Sequence, residues 1–360
     1  MKGLSSHHLR RAGAVIRRYG VGFLAASALG FAPAAHGQSI PAQSQHPQAQ
    51  TFEEFLNGPE GAILDSHRAQ DPVPDNFRRQ LFAVAPQSQG RIGVAALDLT
   101  TGQTVSIEGD EPFPMASTSK IAIAATFLAG VDAGKYSLFD RYPLMVPVAS
   151  EPFSSKVAPV RAGQTMTAET LIERMITRSD NQATDALLAV VGGPQAVNAW
   201  ARKAGLNRFR IDRDIATLVR DRWEFDLSRH VDVRDSTPPE EMVELIAGLH
   251  QGKWLSPASR GLLIGAMTRT VTGSSRIKAG LPSGVTFGHK TGTLNKTASD
   301  VGFVTMPDGR VVVMAIYVTG QSGPAARNAK IAEITRTIYN GFSVPPARHA
   351  SNDNAVYASN

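Results

Sequence analysis

Three short polar motifs follow one another in a fixed order and carry residue types that could perform serine acyl transfer without a histidine. They are Ser117-Thr118-Ser119-Lys120, Ser179-Asp180-Asn181 and Lys290-Thr291-Gly292. Each motif alone is weak, because tetrapeptides and tripeptides of this kind occur by chance in many proteins. Their joint occurrence in one chain of 360 residues predicts an active site assembled from three distant segments.

The first motif supplies a nucleophile and a base. If Ser117 opens a helix, its hydroxyl and the Lys120 amine lie on one face, one turn apart, and the helix start aims backbone N–H groups at an oxyanion. A serine hydroxyl is a weak nucleophile at neutral pH, and a desolvated lysine amine can act as its base. The apolar run 121–128 predicts a buried helix that would desolvate Lys120. The alternative is a helix-capping serine with a surface lysine.

The second motif lies between two apolar helical segments, which predicts a polar loop. Ser179 can relay a proton between Lys120 and a leaving nitrogen, and Asn181 offers an amide that can hold a substrate carbonyl. A simple helix cap is the alternative for this motif taken alone.

The third motif is predicted to end a strand whose edge can hold an extended substrate. Lys290 and Thr291 can attract a substrate carboxylate, and Gly292 permits close approach of the substrate to the backbone. An ordinary strand-to-turn exit is the alternative here.

The elements that must position these motifs consist of early strands, a helical middle and late strands. Strand patterns occupy 91–99, 104–107, 285–290, 301–306 and 311–318. Helix signals occupy 171–178, 194–203, a stretch after a Thr237–Glu240 capping box, a stretch from Pro257, and 325–339. We therefore predict an α+β, two-lobe fold, with an antiparallel sheet flanked by helices, an all-helical lobe and a cleft between them.

The chain is predicted to contain an exported catalytic domain. A basic stretch to Arg18, an uncharged apolar run and small residues at Ala34, Ala35 and Gly37 indicate a signal peptide over 1–37. A linker over 38–52 and a flexible tail over 343–360 would flank a catalytic domain over 53–342, with the helical lobe at about 133–275 inserted in the sheet lobe. The pairs Arg10-Arg11 and Arg17-Arg18 leave a twin-arginine export route open.

Charge and composition argue against several kinds of partner. The formal charge of +6 includes five basic residues of the first 37, and removing their charges leaves +1. A nearly neutral mature protein has no general electrostatic reason to bind nucleic acid or an anionic membrane. The nine histidines form no pair with metal-ligand spacing in the mature chain, so we expect no metal and no cofactor. Export without any cysteine is typical of a bacterial periplasm.

Five segments resemble the class A β-lactamases, within the superfamily of serine β-lactamases and penicillin-binding transpeptidases. They are 113–120, 205–207, 234–238, 289–293 and 300–318, and the similarity spans about 76–342. The resemblance implies that a β-lactam acylates Ser117 while Lys120 and Ser179 shuttle protons. It also implies that the backbone N–H groups of Ser117 and Thr293 form an oxyanion hole, and that Arg276 supports binding of a substrate carboxylate.

A hydrolase also needs a carboxylate that aims water at the acyl ester. The family carries it in an Arg-Trp-Glu-x-x-Leu-Asn loop, and the similar stretch 222–228 nominates Glu224, with Ser228 at the position of the family's asparagine. The earlier stretch 210–213 also resembles the beginning of this loop. In that case extra residues precede Glu224. If the loop also has a different shape, the residue that faces the water is Asp214 or no carboxylate at all.

In either register, Arg213 or Arg222 would pair with Asp235 and fasten the loop.

The sequence therefore predicts a periplasmic, monomeric β-lactam hydrolase that acts on a small-molecule β-lactam and stays off the membrane after signal cleavage. The alternative is a penicillin-binding D,D-carboxypeptidase or transpeptidase that is acylated but releases the β-lactam slowly. A third possibility is a peptidoglycan-binding module that keeps only the fold. The intact set of Ser117, Lys120, Ser179 and Lys290 argues against that third possibility.

Overall fold

A computed structural model describes residues 73–86 and 90–343. The predicted signal peptide and linker lie outside the described residues, as do the first part of the predicted catalytic domain and the tail beyond Ser343. Across the described part of the chain, no helix is long and apolar enough to cross a membrane.

The strands form one large and two small antiparallel sheets. Their bounds are β1 (Ile92–Asp98), β2 (Thr104–Ile107), β3 (Phe113–Pro114), β4 (Arg141–Pro147), β5 (Val160–Thr167), β6 (Ser236–Thr237), β7 (Phe287–Leu294), β8 (Thr297–Thr305) and β9 (Val311–Thr319). The large sheet has the order β2-β1-β9-β8-β7. Early and late strands therefore share one sheet, as predicted, and Val94 of β1 lies opposite Ile316 of β9.

The helices surround this sheet and fill the middle of the chain. Their bounds are α1 (Asp75–Val84), α2 (Lys120–Asp132), α3 (Ala168–Thr177), α4 (Asn181–Val191), α5 (Pro194–Lys203), α6 (Ile215–Arg220), α7 (Pro239–Gln251), α8 (Pro257–Thr268), α9 (Ile277–Gly280) and α10 (Pro324–Ser343). The predicted helix starts at Pro194 and Pro257 are confirmed. Proline is favourable at the first helical position, because no hydrogen bond within the helix is lost there.

Both faces of the large sheet are buried. Consecutive side chains of a strand point to opposite faces, so each central strand contributes to two apolar clusters. Along β9, Val313, Ala315 and Tyr317 join an apolar cluster with the central helices. The intervening residues Val312 and Met314 join a second cluster, which contains side chains of α1 and α10. The first cluster contains most side chains of the first two turns of α2, and this burial controls the environment of Lys120 at its start.

Three local expectations were wrong. The lobe at 133–275 is not all-helical, because it also contains the antiparallel pair β4–β5. No residue of β5 is buried, so its sequence lacks the apolar alternation that indicates a strand. Thr237 forms no capping box, because it lies in β6 and its hydroxyl donates to the carbonyl of Pro238. The strand predicted over 285–290 does not stop at Lys290, since pairing with β8 continues through the third motif to Leu294.

Candidate active site

Ser117 lies in a 3₁₀ turn, Ala116–Ser119, immediately before α2. Ala116 has φ of 49°, a conformation that costs a non-glycine residue energy and that often occurs at functional sites. The prediction that Ser117 opens the helix is corrected: α2 begins at Lys120. The Ser117 side chain is partly exposed, and its hydroxyl makes no hydrogen bond to any described residue. It is therefore free to meet a substrate.

Lys120 is completely buried at the start of α2, so the surface-lysine alternative is excluded. Its Nζ donates to the Ser179 carbonyl at 2.8 Å, to Ser179 Oγ at 3.2 Å and to Asn181 Oδ1 at 2.7 Å. Burial lowers the pKa of Lys120 to about 7, although Asp185 and Asp180 oppose the shift. A lysine with this pKa can act as a base near neutral pH.

Ser179 joins the first and third motifs. It lies between α3 and α4 with φ of 57°, and Asp180 caps α4 by accepting from the backbone N–H groups of Gln182 and Ala183. The motif is thus both a loop and a helix cap. Ser179 Oγ accepts from Lys120 Nζ and, at 2.9 Å, from Lys290 Nζ. One hydroxyl therefore contacts two amines, which is the arrangement that a proton relay needs.

Lys290 projects from β7 into the same buried region. Its Nζ donates to the Thr291 carbonyl at 2.8 Å as well as to Ser179 Oγ. Burial lowers the pKa of Lys290 well below its usual value, and the neighbouring charge of Lys120 acts in the same direction. No carboxylate forms an ion pair with either lysine among the described residues.

The end of β7 lies directly against the nucleophile segment. A Cβ added to Gly292 would lie 2.5 Å from the Met115 carbonyl oxygen and 2.4 Å from Ser299 Oγ. Only glycine fits such an approach without a shift of its neighbours. Gly292 therefore brings the backbone of the third motif beside the residues that precede Ser117.

Arg276 supports this strand from behind. It is buried and donates from Nη1 to the carbonyls of Gly292 and Ser299, both at 2.8 Å. Its Nη2 donates to Thr293 Oγ1 at 2.6 Å, and its Nε donates to Asn328 Oδ1 at 2.8 Å. Arg276 therefore fixes the position of Gly292 and Thr293 in the last part of β7.

The neighbouring residue Thr291 exchanges a 2.7 Å hydrogen bond with Thr272.

Glu224 lies in a different environment, a network of ion pairs. Its Oε2 accepts from Arg234 Nη2 at 2.8 Å and lies 3.7 Å from Arg213 Nη1, while no described residue bonds Oε1. Arg213 Nε pairs with Asp235 at 2.6 Å. Arg222 instead donates to the Val219 carbonyl.

The loop therefore begins at the earlier stretch 210–213, and α6 lies between Arg213 and Glu224.

The other loop candidates serve local structure. Ser228 Oγ donates to Asp226 at 2.6 Å, and Asp226 also binds Lys296. Asp214 caps α6, because its Oδ1 accepts from the Thr217 N–H at 2.7 Å. The site residues from the three motifs therefore converge, whereas no hydrogen bond joins Glu224, Ser228 or Asp214 to that cluster among the described residues.

Sequence reasoning missed one residue, Asp185. It lies on α4, one turn after Asn181, and is only 6% exposed. Its two oxygens accept from the backbone N–H groups of Ile215 at 2.7 Å and Ala216 at 2.9 Å. Burial raises the pKa of Asp185 to about 7. A single acid among the apolar residues of 183–191 was the available signal.

No group of three or more potential metal ligands occurs within 73–86 and 90–343.

The fold, with a serine turn beside two buried lysines, is typical of the serine β-lactamases. Residues 76–342 match the family model described as the β-lactamase enzyme family. The chain belongs to this family, and the resemblance to its class A members is confirmed.

Individual relatives agree over most of their length. β-Lactamase Toho-1 of Escherichia coli is 31% identical over 284 residues, which are 78% of this chain and 94% of the relative. β-Lactamase AST-1 of Nocardia asteroides is 32% identical over 77% of this chain and 89% of the relative. The solved structure of an ancestral class A β-lactamase aligns with a TM-score of 0.65 at 37% identity, over 74% of this chain and 100% of that one.

Proposed function

We propose that this protein hydrolyses β-lactams through an acyl-enzyme on Ser117. The observation that carries the proposal is the contact of two buried amines, those of Lys120 and Lys290, with the single hydroxyl of Ser179 beside the Ser117 turn. Family membership supports the β-lactam as the substrate.

Acylation can be written with its protons balanced. Lys120, with a pKa of about 7, is about half unprotonated at pH 7. The Ser117 oxygen attacks the lactam carbonyl while its proton passes to Lys120. As the ring C–N bond breaks, Lys120 returns the proton through Ser179 to the leaving nitrogen.

The oxyanion of the tetrahedral intermediate needs two donors near the attacking oxygen. We assign them to the backbone N–H groups of Ser117 and Thr293. The close approach of Gly292 to Met115 and Ala116 supports this pairing, because it brings the end of β7 beside the nucleophile turn.

Substrate binding uses the same strand end. Lys290, Thr291 and Thr293 would bind the carboxylate of the β-lactam, and Gly292 lets the substrate lie along the backbone. The Oδ1 of Asn181 accepts from Lys120, which leaves its NH₂ group to donate to a substrate carbonyl.

Deacylation requires a water aimed by a carboxylate, and we assign this role to Glu224. Its Oε1 is free of hydrogen bonds to described residues, while two arginines hold Oε2. Ser228 Oγ donates to Asp226, so it can take part in holding the same water as an acceptor.

A slow-releasing penicillin-binding protein is the second candidate function. It is favoured by one observation: Glu224 makes no hydrogen bond to Lys120 or Ser179. Acylation would then proceed normally and hydrolysis of the ester would lag.

Turnover of a chromogenic cephalosporin separates these two functions. Many turnovers per molecule support the hydrolase, whereas a single burst equal to the enzyme concentration supports the slow-releasing protein. No colour change from purified, folded protein would contradict both.

Location and assembly are part of the proposal. The enzyme would be periplasmic and monomeric, would need no cofactor, and would bind neither nucleic acid nor membrane once the signal is removed. The predicted signal peptide supports the location. Fractionation of cells that express the full chain tests the location, and light scattering of the mature protein tests the monomer.

A further inference from the structure

The active site contains an acid that the acylation scheme above leaves unused. Asp185 is buried on α4, and no described cation forms an ion pair with it. Burying a carboxylate without a partner is costly, so its position calls for a physical reason.

The placement of Asp185 follows from helix geometry. Residues four apart on a helix lie on the same face, so Asp185 lies one turn beyond Asn181, which accepts from Lys120 Nζ at 2.7 Å. Helix α4 packs against α2, which begins at Lys120, and against α6. Asp185 therefore lies where the lysine-bearing helix and the loop helix meet.

Two backbone hydrogen bonds fix the carboxylate in this place. The N–H groups of Ile215 and Ala216, in the first turn of α6, donate to its two oxygens at 2.7 and 2.9 Å. The first N–H groups of a helix have no partner within the helix. Asp185 satisfies two of them and is held in position by them.

We propose that Asp185 is the counter-charge of Lys120: its carboxylate stabilises the ammonium form that Lys120 adopts during acylation, while its bonds to α6 keep the two groups at a fixed separation. The proposal rests on the acyl-enzyme function above. Asp185 touches neither nucleophile nor substrate in this scheme and acts through Lys120, so it is a positioning residue.

The electrostatics of the cluster agree with this role. The charge of Asp185 is the largest influence that opposes the lowering of the Lys120 pKa by burial. Lys120 in turn opposes the raising of the Asp185 pKa, while the nearby charge of Asp214 adds to that rise. Each of the two groups therefore favours the charged form of the other.

Other charged groups near the pair are accounted for. Asp180 also acts on Lys120 and is itself paired with Arg174 of α3, and Lys290 of β7 is the second buried amine. Elements α5 and β4 also pack against α4, and their basic residues Arg141, Arg202 and Lys203 are exposed.

Asp185→Asn tests the proposal through the pH dependence of acylation. Without the negative charge, the Lys120 ammonium is less stable, so the pKa of Lys120 falls. The midpoint of the acid limb of the acylation rate should move to lower pH by about one unit, and the maximum rate should fall. Stopped-flow labelling by a fluorescent penicillin measures acylation separately from hydrolysis.

Asp214→Asn is the matched control. It removes a charge of the same sign at the start of α6, and asparagine still caps a helix. Since Asp214 acts on Asp185 and favours its neutral form, this variant should shift the acylation midpoint slightly upward or leave it in place. A purely structural role of Asp185 predicts a loss of thermal stability in Asp185→Asn with an unshifted midpoint.

Two further variants keep the test decisive if Asp185→Asn does not fold. Asp185→Ser also removes the charge but leaves a hydroxyl that accepts one N–H, and should shift the midpoint downward. Asp185→Glu keeps the charge, and should hold the midpoint near that of the parent enzyme.

If the parent enzyme is acylated but the midpoint is unshifted in folded Asp185→Asn and Asp185→Ser, the inference about Asp185 is wrong, while the proposed function stands. A parent enzyme that is never acylated would instead contradict the proposed function and everything that depends on it.

Discussion

Two regions that contain several charged side chains differ in how these charges are compensated. The lysine cluster, Lys120, Ser179 and Lys290, buries two amines that bind only neutral oxygens and amides. The loop cluster, Arg213, Glu224, Asp232, Arg234 and Asp235, matches nearly every charge with an opposite one.

This difference indicates which region can transfer protons and which region stabilises the loop. Ion pairs hold side chains in their charged forms, which stabilises a loop but leaves little capacity to exchange protons. A buried amine without a carboxylate partner has a pKa close to working pH and can take and return a proton. We therefore assign proton transfer to the lysine cluster and shape to the loop cluster, with the free Oε1 of Glu224 as the exception.

The largest expected effect lies in the lysine cluster. Ser117→Ala should abolish covalent labelling by a fluorescent penicillin, because no other group in our scheme attacks the lactam. Gel fluorescence of the denatured protein measures the adduct. The neighbouring Ser119 hydroxyl donates to the Ala116 carbonyl, so Ser119→Ala should still be labelled. Specific labelling of Ser117→Ala would refute the nucleophile.

Glu224→Gln asks whether the loop cluster contributes chemistry. Loss of the water-aiming carboxylate should leave acylation largely intact and slow hydrolysis of the adduct by about a hundredfold or more. Mass spectrometry of the intact protein would show the trapped adduct. Asp226→Asn, which removes an acid paired with Lys296 on the same loop, should turn over like the parent enzyme. Equal turnover of Glu224→Gln would show that another group positions the water.

Arg213→Met tests the structural role of the loop cluster. Asp235 is 4% exposed, and breaking a buried pair leaves its carboxylate without a cationic partner, at a cost of about 3 kcal/mol in the free energy of unfolding. Urea denaturation measures this loss. Arg210→Met removes the exposed pair with Asp212 and should cost less than about 1 kcal/mol. Equal losses would mean that the two pairs support the fold alike.

The smallest effect expected is a pH dependence of the unaltered enzyme. Because only the free amine of Lys120 accepts a proton, acylation should rise as pH increases through about 7, and should fall about tenfold for each unit well below that value. The rate rises with pH because the free amine, which accepts the proton, is the form present above the pKa. Burial lowers that pKa and thereby places the midpoint near neutral pH. An acylation rate that stays flat from pH 5 to 8 would exclude Lys120 as the base.

The sequence was most informative where short-range chemistry and local geometry coincide. The three motifs converge as predicted, since Ser179 contacts both Lys120 and Lys290. The strands predicted over 301–306 and 311–318 were readable because turn residues interrupt the apolar runs between them.

The path of the loop that carries Glu224 was not readable, because two arginine-containing stretches fit its beginning equally well. Only the long-range pair between Arg213 and Asp235 distinguishes them. Asp185 was missed for a related reason. Its role depends on burial against α6, which begins 30 residues later in the sequence, and no local sequence pattern indicates this contact.

The central sheet has a consequence for biosynthesis. Strand β1 lies between β2 and β9, and its residue Val94 meets Ile316, more than two hundred residues later. The edge of β1 that β9 covers stays unsatisfied until nearly the whole polypeptide has been made, and pairings so distant along the chain form slowly. A nascent or truncated polypeptide that stops before β9 can contain Ser117, Lys120 and Ser179, yet it lacks the strand that anchors β8 and, through it, the third motif.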